Sequence, residues 1–228
     1  RAAEAARQAG AARVVKQLGA APEVPLDVAY YRQTTEFTCG PVALMMGLAE
    51  LGLAAAPSLA EELQIWREAT TILATDPHGL ALAAVRRGAR AEVVTSAASV
   101  LVLSNPLAVT DRNAALFLER SYRSEAVAAG IPSQVRQFEV AEVAQRVSAG
   151  QVLILLIDEL EMHGEACPHW VAVTAFEDGV ARLEDPWTDA HFGETWVDAH
   201  RLAVRPADLA ALMWTGNPPV QAFVALSR

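Results

Sequence analysis

Apolar residues recur with helical spacing through most of the chain and with strand spacing near its end. Residues 40–51, "GPVALMMGLAEL", form an almost unbroken apolar run stopped by Gly52, and a helix is predicted there. Ser58 followed by Glu61 is a capping-box signature, so a second helix is predicted from Leu59 to about Thr71. "TDPHG" reads as a loop, followed by a helix over Leu80–Arg87 and a strand over Ala91–Thr95. Asn113–Ala128 and Glu139–Ser148 read as helices, each closed by a glycine two residues on. From Gln151 the pattern changes to strands: Val152–Ile157, His169–Phe176, Val180–Glu184 and Val220–Ala225. "VLVL" at Val100–Leu103 is also strand-sized. One late helix, Pro206–Met213, begins with a proline suited to a first turn. At the other end, good helix formers run from Ala2 to Leu18, and "APEVPLDV" is a Pro-punctuated linker to a short strand near Val28–Tyr31. Helices first and antiparallel strands last is an α+β order.

The 228 residues are 53% hydrophobic and 20% charged, enough to bury a substantial core. A net charge of −9 argues against nucleic-acid binding, which needs clustered Lys and Arg. Arg86, Arg87 and Arg90 make the densest basic cluster and read as a solvated helix end. No apolar run reaches the length of a membrane span, and the N-terminal segment lacks an apolar signal-peptide centre. Two cysteines cannot build a disulfide framework, and a reducing cytoplasm is expected. The chain begins with Arg, which reads as a fragment, a processed form or one module of a longer protein.

One of those cysteines, Cys39, stands directly before Gly40-Pro41 and the first apolar helix. Proline is tolerated in a helix's first turn, so Cys39 is predicted at the helix N-terminus. There unpaired N–H groups and the positive dipole end favour a thiolate. The plain alternative is a small buried hydrophobe ahead of a core helix. Gln33, six residues upstream, has a side-chain amide able to donate to an oxyanion, alongside the backbone N–H of an attacking cysteine.

A thiol nucleophile needs a histidine in reach and a third group to hold the ring. Of five histidines only His169 opens a clear strand, "HWVAVTAF", which turns at Glu177–Gly179 into "VARLEDP". A three-residue loop there would face Phe176 with Val180 and Val171 with Asp185. His169 and Asp185 would then be diagonal neighbours on one face, and a one-residue slip would separate them. Trp187 could shield the pair from water.

"QTTEFTCGPVAL" together with "PHWVAVTAFEDGVARLEDP" resembles the papain-like cysteine peptidases that process bacteriocin leader peptides after a double glycine. The segment "LQIWREATTILATDPHGLALAAVRRGARAEV" resembles a bacterial branch described as like that family. The likeness runs from about Val28 to the C-terminus and rests on Gln, then Cys six residues later, then His, then Asp sixteen residues beyond it. It implies a papain-like α+β fold with Cys39 as nucleophile, His169 as general base and acid, Asp185 as orienter and Gln33 as oxyanion donor. Residues 1–27 would be a helix and linker at the end of a preceding module. Residues 28–228 would be the peptidase domain, with a helical insertion at about 58–128. The implied function is a cysteine peptidase acting on a peptide substrate, with no cofactor, nucleic acid or membrane involved. Members of the branch are often joined to, or neighbours of, an acetyltransferase and an ATP-grasp ligase. The long interval from Cys39 to His169 departs from the leader peptidases. Two alternatives share these residues: a peptide ligase or cyclase in which an amine resolves the thioester, and a peptide-binding module without catalysis.

"HGEACPH" (His163, Glu165, Cys167, His169) holds metal-ligating types, but no second cluster of zinc-finger spacing accompanies it, and no metal is expected. Cys167 could bridge to Cys39 or be a bystander, and the bystander is the expectation. Asp76, His78 and Gly79 read as a turn with a solvated histidine, a substrate contact being the alternative. Trp66, Trp170, Trp187, Trp196 and Trp214 read as mostly core, with Trp170 facing away from His169. His191 and His200 show no partner pattern.

Overall fold

The computed structural model describes residues 30–53, 57–72, 74–100, 109–190 and 193–228. The segments at 1–29 and 101–108 lie outside it, and with them the expected N-terminal helix and most of "VLVL". The apolar run after Gln151 forms β5 (Val152–Asp158), buried along its length until Asp158. Such a strand must be covered on both faces. Val152, Ile154 and Leu156 point to one core with Leu44 and Leu48 of helix α1 (Cys39–Glu50). Leu153, Leu155 and Ile157 point to a second core, with Val143 and Val147 of α5 (Val140–Ser148) and Leu209 of α8 (Pro206–Leu212). The fold is therefore α+β with helices on both sides of one sheet.

That sheet has seven strands in the order β4-β3-β9-β5-β6-β7-β8. They are β3 (Arg90–Thr95), β4 (Ser133–Val135), β5, β6 (Pro168–Glu177), β7 (Val180–Glu184), β8 (Leu202–Val204) and β9 (Ala222–Ser227). All pairings are antiparallel except β3 with β4. The expected strand at Ala91–Thr95 forms as β3, within the stretch expected as a helical insertion, and pairs with the C-terminal β9. Around it stand α2 (Leu59–Ala69), α3 (Pro77–Arg86) and α4 (Val109–Ala128), with a small ribbon of β1 (Thr70–Thr71) and β2 (Ala74–Thr75) between α2 and α3. Short helices α6 (Leu160–His163) and α7 (Trp196–Ala199), like β4 and β8, are too brief to leave a periodic signal in the sequence. Among the described residues no helix is long and apolar enough to cross a membrane.

Helix α1 is buried all round, from Gly40 to Leu48. A Cβ on Gly47 would lie 2.9 Å from the Ile154 side chain, so a residue without one lets the helix settle close against β5. Ser58 caps α2 through the Glu61 N–H, as its sequence signature predicts. Two expectations fail nearby. Asp76 caps α3, so His78 is inside that helix and 2% exposed, bonded to Ser133 rather than solvated. Arg87 is no solvated helix end: it ties α3 to α2 through Glu61 and Glu68. Among the tryptophans only Trp170 is buried, and the other four are half-buried.

The β6–β7 hairpin turns on two residues, Asp178 and Gly179, both with positive φ, rather than three. A two-residue turn alone would set Asp185 opposite Ala172 and so on the face away from His169. The ladder shifts by one between Val173 and Ala175, where Thr174 is the extra residue. Beyond that bulge Ala172 faces Glu184, which carries Asp185 on to the level of Val171. The bulge restores the register that brings the two side chains to one face.

Candidate active site

Cys39 is the first residue of α1, half-buried, with Thr38 as N-cap. Gly40 follows because a Cβ there would lie 2.8 Å from Thr75 Cβ. His169 is the second residue of β6 and pairs with Ile157 of β5. It alternates with Trp170, whose indole turns to the α1 side and donates to Thr75 O at 3.2 Å. Helix start and strand start meet at the rim of the sheet, and Gln33, Cys39 and His169 line one cleft of ≈ 400 Å³.

His169 Nε2 lies 2.8 Å from Asp185 Oδ1, and both residues are buried. The same Oδ1 accepts the Trp187 N–H at 2.8 Å, while the Asp185 N–H donates to Ala199 O. One carboxylate oxygen is thus held by two donors, and the residue's backbone by a third bond. Burial alone would push the imidazole down, but the charge and hydrogen bond of Asp185, supported by Cys39, overcome it. The ring sits well above the ordinary histidine value. With Nε2 committed to Asp185, Nδ1 is the nitrogen left to work on the cleft side.

Nδ1 has a neighbour that sequence reasoning missed. Glu159 Oε1 lies 3.2 Å from it. Glu159 follows β5 two residues after Ile157, the partner of His169, and its N–H donates to Cys167 O. It is therefore a diagonal neighbour of His169 on the side opposite Asp185. Only the β5–β6 register reveals this, because no local motif marks it. Burial, aided by the Asp185 charge, raises the Glu159 carboxyl above its usual range, against the pull of His169.

Gln33 is 4% exposed. Its N–H donates to Pro186 O at 2.9 Å, tying the segment before Cys39 to the one after Asp185. Its Nε2 donates to Thr35 O at 2.8 Å, which anchors the amide and commits one of its two N–H groups. Arg32 lies over the Trp187 ring, 5.5 Å from its centroid, and Trp187 lines the same cleft as His169.

Cys167 also lines the cleft. It is exposed as a residue, yet burial of its thiol by the surrounding protein and the Glu159 charge push it up to about 11, and both cysteines are free thiols. His200, expected to lack a partner, is bound through Nδ1 to the buried Glu184 at 2.7 Å. Among the described residues no group of three or more His, Cys, Asp or Glu is arranged to hold a metal ion. A larger cleft of ≈ 650 Å³ lies beyond Asp185 and Trp187, floored by Leu202, Val204 and Leu212. It is lined by neither Cys39 nor His169.

A family model described as "Peptidase_C39 like family" matches residues 28–227. A crystal structure of a candidate C39-like peptidase from Bacillus anthracis is similar at 12% identity and a TM-score of 0.46, covering 89% of this chain and 96% of that one. No curated protein matches the chain.

Proposed function

The chain belongs to the Peptidase C39-like family, and on that premise we propose that it is a cysteine peptidase cleaving a peptide through a thioester. One observation carries the reading: a buried imidazole, gripped at Nε2 by Asp185, presents its other nitrogen to the cleft that holds Cys39. Cys39 stands at the N-terminus of α1 and shares its cleft with His169. The sulfur attacks a substrate carbonyl, and the negative charge moves to its oxygen. The Cys39 backbone N–H and the second Gln33 Nε2–H are the donors for that oxyanion. Collapse expels the amine, which takes its proton from His169 Nδ1. Water, activated by the same nitrogen, then frees the acyl group. Asp185 stabilises the imidazolium throughout and keeps the Nδ1 edge toward the cleft.

The test is digestion of a peptide library by the wild-type chain and by Cys39→Ala, read by mass spectrometry. Products made by the wild type and lost in the variant support the reading. Equal cleavage by both sinks it. Repeating the digestion with an added primary amine separates hydrolysis from transfer, since an amine acceptor adds its own mass to the acyl product.

A further inference from the structure

Glu62, in the middle of α2, is wholly buried, yet among the described residues no cation pairs with it. A carboxylate in such a place is costly to desolvate unless hydrogen bonds compensate. An apolar residue would suit a core-facing helix position better. All of its partners come from the segment that holds Gln33 and leads to Cys39. Oε1 accepts the Thr34 N–H at 2.8 Å, the Thr34 hydroxyl at 3.1 Å and the Thr38 hydroxyl at still shorter range. Oε2 accepts the Tyr31 hydroxyl at 3.2 Å.

Thr38 is the N-cap of α1, where a threonine hydroxyl ordinarily accepts from the helix's own first N–H groups. Here it makes no capping bond, and its proton goes to Glu62. Its oxygen meets the Thr35 hydroxyl at 2.9 Å, and the Thr35 carbonyl is the acceptor that anchors Gln33 Nε2. A continuous chain of hydrogen bonds thus runs from Glu62 through Thr38 and Thr35 to the Gln33 amide. Phe37 packs on Trp66 of the same helix, ring centroids 5.3 Å apart, and adds an apolar clamp.

We propose that Glu62 is a positioning residue for the oxyanion donors, holding the Gln33 amide and the Cys39 N–H in one orientation. This rests on the peptidase reading above. Glu62 does not touch a substrate. It acts through the Thr34–Thr38 segment, so its loss weakens steps that build an oxyanion and spares those that do not.

Two reactions at Cys39 separate these. With p-nitrophenyl acetate the thiolate bonds the acetyl carbon, passes through a tetrahedral oxyanion and expels p-nitrophenolate. With iodoacetamide it displaces iodide directly and no oxyanion forms. Both adducts are followed on the Cys39 peptide by mass spectrometry, in wild type, Glu62→Gln and Thr38→Val, with circular dichroism melts run alongside. The ratio of acylation to alkylation rate is expected to fall about tenfold or more in Glu62→Gln, part of the roughly 10²–10³ lost when an oxyanion donor is removed outright. Thr38→Val, which keeps the side-chain shape, lowers the ratio in the same direction and serves if Glu62→Gln does not fold. A ratio within twofold of wild type in both variants, or an equal loss of both rates, overturns the positioning role alone. If wild-type Cys39 is acylated no faster than free cysteine, the peptidase reading fails and this inference with it.

Discussion

Replacing Asp185 with Asn isolates the charge that holds His169. Both donors to the carboxylate, His169 Nε2 and the Trp187 N–H, reach the same oxygen, Oδ1. An asparagine can keep both bonds with its carbonyl oxygen while its amide takes the place of Oδ2. The Trp187 N–H favours that orientation, because an amide NH₂ turned toward it would meet another donor. Geometry and tautomer therefore survive, and only the negative charge is lost. Nε2 and Oδ1 are 2.8 Å apart, and spreading each charge over its group puts the centres roughly 4 Å apart, where two unit charges interact by about 4 kcal/mol at an effective dielectric of about 20. The sign is fixed: the folded-state value is raised, so the contribution to stability is complete below the ordinary histidine value and is lost as pH rises through the raised one. The assay is a nuclear magnetic resonance titration of the His169 Cε1–H, assigned by comparison with His169→Asn. The Asp185→Asn midpoint is expected below wild type, since the charge that raises the imidazole is gone. A midpoint within half a unit of wild type, in a variant whose melt shows it folded, would refute the assignment of that charge as the cause.

Two further perturbations follow from particular contacts. Glu159→Gln removes a carboxyl that burial holds above its usual range, so the wild type gains stability from it below about pH 4 and loses that gain as pH rises through the folded value. The variant is expected to match wild type in thermal midpoint near pH 4 and to exceed it at pH 8. A constant difference across that range would contradict the burial cause. Gly40→Ala puts a methyl 2.8 Å from Thr75 Cβ and 2.9 Å from its Oγ1, and overpacking of this kind costs about 1–3 kcal/mol. Adding Thr75→Gly, which removes that Cβ as well as Oγ1, should recover part of the loss. Additive losses in the double variant, measured by urea unfolding, would rule out that contact as the source.

Much of the site is legible because its parts are local. Cys39 before Gly-Pro and an apolar run defines a helix start, and the helix begins at that residue. His169 and Asp185 lie in one hairpin whose strands were marked by apolar patterning and whose turn was marked by Asp-Gly. Trp170 was placed on the face away from His169 by alternation alone, and it lies there. The turn is one residue shorter than the sequence suggests, and the register at the functional end matches expectation only because Thr174 bulges. A bulge leaves no mark in the apolar pattern of such a strand. His78 was misread because Asp-Pro-His-Gly suits a loop and a capped helix start equally well, and only the Asp76 cap and the Ser133 contact decide between them.

Short-range chemistry in the chain determined a thiol at a helix tip, a histidine and an aspartate on one ribbon, a glutamine just upstream, and helices ahead of strands. Packing between distant segments decided the rest. It set Glu159 beside the free nitrogen of His169, through the pairing of β5 with β6. It set Glu62 beneath the segment from Thr34 to Thr38, and it wove β3 from the middle of the chain beside β9 from its end. Propensity and periodicity act over a few residues. A buried carboxylate finds its partners only once segments far apart in sequence have closed around it.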